Sequence, residues 1–170
     1  MTQGLTYNGT MNYRDGMKEF AYTMDPKYMM VLAFNKPGAT TYEYGNDCVR
    51  RFHGRLDRVQ LGPSWSRIHP NQRSHSISVP QGHNCSGRAD SESLYDFHLH
   101  MLLKPAPYPK MKLSDRDMEN LTREIWTGLV PSGNLHFRNV YDAGGGMDYC
   151  SRLMAGGVST SIGIPYYSIN

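Results

Sequence analysis

Short apolar runs alternate along the chain with two longer amphipathic stretches. "KYMMVLAFN", residues 27–35, is an apolar run closed by "KPG" and predicts a buried strand. From about Thr41 to Leu61, Cys48, Val49, Phe52, Leu56 and Val59 recur at three- and four-residue spacing, which predicts an amphipathic helix. "SHSISVP", 74–80, alternates and predicts a second strand. After the long turn "QGHNCSGRADSES", the run "LYDFHLHMLLK", 94–104, predicts a third. "SDRDMENLTREIWTGL" opens with Ser114 and Asp117 in near capping-box spacing, and Met118, Leu121, Ile125 and Leu129 form a second helical stripe. "GNLHFRNVYD", 133–142, alternates through Leu135 and Phe137 as a fourth strand, and "MDYCSRLMA" predicts a short last helix.

This order of elements places the chain in the α+β class as a split βαβ, or ferredoxin-like, antiparallel sheet. Both main helices would cover one face and leave the other open for a site. The 170 residues fit one domain, 1–170, with a polar arm at 1–26, a core at 27–155 and a Gly- and Ser-rich, loosely held tail at 156–170.

The third strand carries the first candidate chemistry. Side chains alternate across a strand, so Asp96, His98, His100 and Leu102 share one face and Tyr95, Phe97, Leu99, Met101 and Leu103 the other. The fully apolar set belongs under the helices, which puts the histidines on the open face. Their Cβ atoms are ~7 Å apart, close enough for both rings to lean onto one ion, and neutral imidazoles bind divalent metals well. The plain alternative is a pair of partly exposed surface histidines.

An apolar strand ("MMVLAFN"), then "FHLHMLL", then "NVYDAGGGMDYCSRLM" after one more helix and strand resemble, in order, the motifs of the HUH endonucleases. The nearest resemblance is to rolling-circle replication initiators (Rep proteins), over about residues 27–155. It implies a site-specific enzyme that nicks and joins single-stranded DNA, with Tyr149 as nucleophile and a 5′-phosphotyrosine intermediate. It implies Mg²⁺ or Mn²⁺ on His98 and His100. Arg152 stands where the family usually has lysine, keeping the charge but changing the geometry of phosphate contact. The family's third metal ligand, often Glu on the paired strand, has no Glu to match. Gln81 is the best candidate by motif position, with His75 and His83 as rivals. Gln81 and His75 share phase with Ile77 and Val79, which look like core residues, and a bulge near Pro80 would reset that phase. Tyr141 is a rival nucleophile at a strand end. Asp96 is a candidate partner for the histidines, whereas Asp148 reads as solvated. Leu153, where related transposases carry a metal-binding Gln, favours the initiator over a single-tyrosine transposase. A relaxase of the same superfamily, or a non-catalytic DNA- or RNA-binding domain, are the alternatives.

Charge adds a candidate DNA footprint. Residues 48–73 carry Arg50, Arg51, Arg55, Arg58, Arg67 and Arg73 against a single acidic residue, Asp57, although the whole chain has a net charge of only +3. Arg50, Arg51, Arg55 and Arg58 are candidate contacts to nucleic acid, against the alternative of a solvated helix face. Trp65 and Tyr42 could stack on bases, and Trp65 fits a surface loop equally well. Cys48, Cys85 and Cys150 form neither a zinc motif nor a disulfide framework and read as reduced thiols. No membrane span is expected, and the polar N-terminus lacks a signal-peptide core, so a cytoplasmic protein is expected. No Walker A loop occurs, so unwinding of an origin or its hairpin DNA would fall to a separate helicase.

Overall fold

The computed structural model describes residue 19 and residues 22–35, 42–81 and 97–141, with the backbone alone described at 42, 80 and 81. The elements are β1 (Tyr28–Ala33), α1 (Tyr42–Leu61), β2 (His75–Gln81), β3 (His98–Lys104), α2 (Asp115–Leu129) and β4 (Asn134–Asn139). The strands form one sheet in the order β2-β3-β1-β4, every neighbouring pair antiparallel. β1 and β2 therefore run parallel to each other with β3 between them. The fold is α+β, with a four-stranded antiparallel sheet. The final helix expected near Tyr149, the arm before Glu19 and the tail lie outside the described residues.

Both helices pack on one face. Tyr28, Met30 and Leu32 of β1, Leu99, Met101 and Leu103 of β3, and Leu135 of β4 meet Val49, Phe52 and Leu56 of α1 and Met118, Ile125 and Trp126 of α2. Period two in the strands and period 3.6 in the helices bring these apolar sets together. Ser114 caps α2: its hydroxyl accepts from the Asp117 amide while the Asp117 carboxylate accepts from the Ser114 amide, completing the capping box. Trp126, at the far end of that helix, donates its Nε1–H to the Ala33 carbonyl at 3.1 Å and so ties α2 to β1.

Two expectations need correction. The inner stripe of α1 does not include Val59, which is exposed; His53, Asp57 and Gln60 are buried there instead. They are accommodated because β2 turns serines, not apolar residues, toward α1. The ring nitrogens of His53 hydrogen-bond the hydroxyls of Ser74 (2.8 Å) and Ser76 (2.7 Å), and the Asp57 carboxylate accepts from the Ser74 amide (2.9 Å). Secondly, Ile77 and Val79 do not belong to the helix-side core. They lie on the opposite face with Leu102 and Met24 in a small second core. That face is thus not bare: it is covered over β2 and β3 and more open over β1 and β4.

Candidate metal centre

β3 positions His98 and His100 as its alternation requires, on the face away from the helices. Their Nε2 atoms are 3.0 Å apart, with ring centroids at 4.9 Å and planes 67° apart. In the protein alone this is a hydrogen bond in which one imidazole donates to the other. His100 is almost fully buried and His98 half-buried. Burial, followed by the field of His98, pushes the His100 pKa down to about 4. The ring is therefore neutral at physiological pH, the form that binds metals. With ligand bonds of ~2.1 Å, two nitrogens 3.0 Å apart subtend roughly 90° at a shared ion, as adjacent positions of an octahedron do. The pair fits a divalent cation on these grounds.

The register bears on two of the three candidates for a third ligand, Gln81 and His75. β2 pairs with β3 without interruption from His75↔Lys104 to Gln81↔His98. Gln81 stands directly across from His98, and no bulge at Pro80 is needed. The parity objection fails because Ile77 and Val79 belong to the histidine face too. His75 is six positions farther along the sheet from Gln81, ~20 Å away, and is excluded as a ligand to the same ion. Its Nδ1 lies 3.0 Å from the Arg73 carbonyl. His83 lies outside the described residues. Among those residues, no group of three or more His, Cys, Asp or Glu side chains is placed to hold a metal.

The remaining candidates fall in different places. Arg50, Arg51, Arg55 and Arg58 are exposed on α1, on the other side of the sheet from the histidines. Arg50 and Arg51 pair with Asp47, whose carboxyl Arg50 holds below its usual range. The Arg55 guanidinium lies beside Gly128 of α2. Arg73 is buried, donating to the carbonyls of Ile68 and Ser66 and lying 5.4 Å over the Trp65 ring, so it holds its own loop together. That contact engages Trp65 and favours its reading as a loop residue. Cys48 is a buried thiol whose pKa burial raises. Tyr141, just past β4, is 93% exposed and not on a helix. Tyr149, Arg152, Leu153, Asp96 and Asp148 lie outside the described residues.

Sequence reasoning missed His136 and Arg138. Val31 pairs with His100 on one side and His136 on the other, so the three form one row across the sheet. Met29 pairs likewise with Leu102 and Arg138. His136 and Arg138 are exposed on the histidine face and line, with Met29, Val31, Phe137 and the α2 residues Glu119 and Arg123, a cavity of about 300 Å³ that wraps the edge of β4. The signal was present in the alternation of "NLHFRN", but only the pairing of β4 with β1 sets these side chains beside His100. No family model, no characterised protein and no solved structure matches this chain. Among the described residues, no helix is long and apolar enough to cross a membrane.

Proposed function

We propose that this protein is a divalent-metal-dependent endonuclease of the HUH type that nicks and rejoins single-stranded DNA, as a replication initiator does. The 3.0 Å approach of the His98 and His100 Nε2 atoms on a buried strand carries this reading. The strand order and uniformly antiparallel pairing support a ferredoxin-like arrangement of the core. Mg²⁺ or Mn²⁺ is the proposed cofactor, with two imidazoles favouring Mn²⁺ and Gln81 completing the protein ligands through its side-chain oxygen. When bound, the ion would polarise the scissile phosphate and steady the departing 3′ oxygen.

The Tyr149 hydroxyl is the proposed nucleophile. Its oxygen bonds to phosphorus as the P–O3′ bond breaks; the phenolic proton is given up and the 3′ oxygen leaves as a hydroxyl. One phosphoester replaces another, so the strand can be resealed by the reverse step. Chain length permits this. Tyr141 is five residues beyond the His136 row, ~17 Å along the sheet, with two strand spacings of ~5 Å from there to His100. The eight peptide units from Tyr141 to Tyr149 can span ~26 Å, enough to bring the hydroxyl back to the pair. Arg152 would meet a phosphate. The partners are single-stranded or hairpin DNA at an origin and a separate helicase.

The test is a covalent-adduct assay with labelled single-stranded origin DNA and Mn²⁺, resolved on a denaturing gel. A shifted band that disappears with EDTA and in Tyr149→Phe is expected. No band with the origin DNA of its own replicon would sink the nicking reading and favour a binding domain. A band that persists in Tyr149→Phe but not Tyr141→Phe would move the nucleophile to Tyr141.

A further inference from the structure

A cavity of about 510 Å³ opens at the end of the sheet remote from His98. It falls within the ~300–1,000 Å³ of small-molecule sites. Lys27, Lys104 and Lys112 line it, with Asp25 the one acidic side chain in its wall. Lys27 is committed to Asp115 at 2.8 Å. Lys104 and Lys112 make no ion pair among the described residues, so the wall keeps an excess of positive charge after Asp25 is counted against it. Lys104 stands across from His75 in the register, and its charge helps to lower the pKa of that ring. Pro26, Pro105 and Pro109 form stiff parts of the wall, and Met118 and Val140 supply apolar surface. The backbone beside it is also fixed: the Gln60 side chain accepts from the Ala106 amide (3.2 Å) and the Gln60 carbonyl from the Lys110 amide (2.7 Å). A pocket wall that combines apolar and cationic residues suits a ligand that carries both kinds of group.

We propose that this cavity binds a nucleotide, with Lys104 and Lys112 on its phosphate and the proline and Met118 wall against its base. Two sources share that chemistry: a free mononucleotide, or one nucleotide of a DNA single strand. The second source rests on the nicking reading. His100, Leu102 and Lys104 share one face of β3, so a strand held at the histidines has the pocket only ~14 Å away along β3.

The test is amide NMR of the full chain in EDTA, titrated separately with thymidine 5′-monophosphate, thymidine and an oligothymidylate. Without metal no cleavage is required, so failure here is distinct from failure of the nicking reading. The monophosphate should shift the amides of Lys104, Ala106 and Lys112 saturably, and thymidine should bind about tenfold more weakly, the worth of one charged hydrogen bond. Lys104→Gln with Lys112→Gln should weaken the monophosphate about tenfold on the same grounds, with the melting temperature unchanged. His98→Ala should leave it unaltered. Shifts at these amides with the oligothymidylate alone would assign the pocket to a nucleotide of the strand. No shift there with either ligand, or equal binding of thymidine and its monophosphate, would overturn the proposal.

Discussion

His53 sits with no exposed surface between two serine hydroxyls. Burial, with a smaller contribution from the charge of His75, pushes its pKa down to about 3. The unfolded chain takes up a proton near the ordinary value of about 6.5. Between those values the unfolded state binds more protons, so folding stability falls as pH falls through that window. The shift corresponds to a loss on the order of 4–5 kcal/mol at the acid end. Asp57 acts in the opposite sense, because burial raises the pKa of its carboxyl. Urea unfolding between pH 7 and pH 4 should therefore show a steep acid loss in the wild type. The loss should be shallower in His53→Gln, since His75 and His100 keep their own share of it. Identical slopes in the two proteins would show that His53 is not the responsible group.

At the scale of elements, the turn from α2 to β4 is the tightest joint described. A Cβ on Gly133 would stand 2.6 Å from the Ala33 carbonyl oxygen, 2.8 Å from Trp126 Nε1 and 2.9 Å from the Val130 side chain. Gly133→Ala should displace the Trp126–Ala33 hydrogen bond and cost about 2–3 kcal/mol, measured by denaturant unfolding; a change below about 0.5 kcal/mol would mean that the turn gives way easily. The strand register makes a second prediction. Gln81→Ala should weaken Mn²⁺ binding by about tenfold, as expected for loss of a supporting ligand, while His75→Ala should leave it unchanged. Isothermal titration with MnCl₂ checks both, and an effect of His75→Ala would contradict the register argument. The sequence was legible where alternation or helical period was clean: β1, β3, α2 with its capping box, and the facing of His98 and His100. It misled on β2, because Ile77 and Val79 are buried on the face opposite the main core. Apolar alternation states that one face is covered, not which. Likewise Val59 looked like a core residue only because the polar His53 and Asp57 were not recognised as inward-facing partners of serines at the next strand, nor Gln60 as a partner of the backbone at Ala106 and Lys110.

At the scale of the whole molecule, the sheet separates two groups of basic residues, the α1 arginines and the pair His136 and Arg138. The α1 arginines stand behind the helix layer, and Arg50 and Arg51 are already paired with Asp47. His136 and Arg138 stand on the histidine face, one strand from Val31, on the side left more open by the second core. On the proposed nicking function, a DNA strand whose phosphate lies at His98 and His100 would cross β1 and β4 without meeting α1. The arginines can then add only a general electrostatic attraction, which weakens with salt and is sequence-independent. Replacing Arg50, Arg51, Arg55 and Arg58 by Gln should slow capture of DNA at low salt but leave single-turnover cleavage at saturating DNA unchanged. Arg138→Gln should instead lower equilibrium affinity by about tenfold at physiological salt, with one fewer phosphate contact in the salt slope. Fluorescence anisotropy with a labelled single strand across a salt series separates the two. The opposite pattern, with the quadruple variant losing saturating cleavage and Arg138→Gln behaving as wild type, would place the bound strand on the helix side and detach DNA binding from the histidine pair.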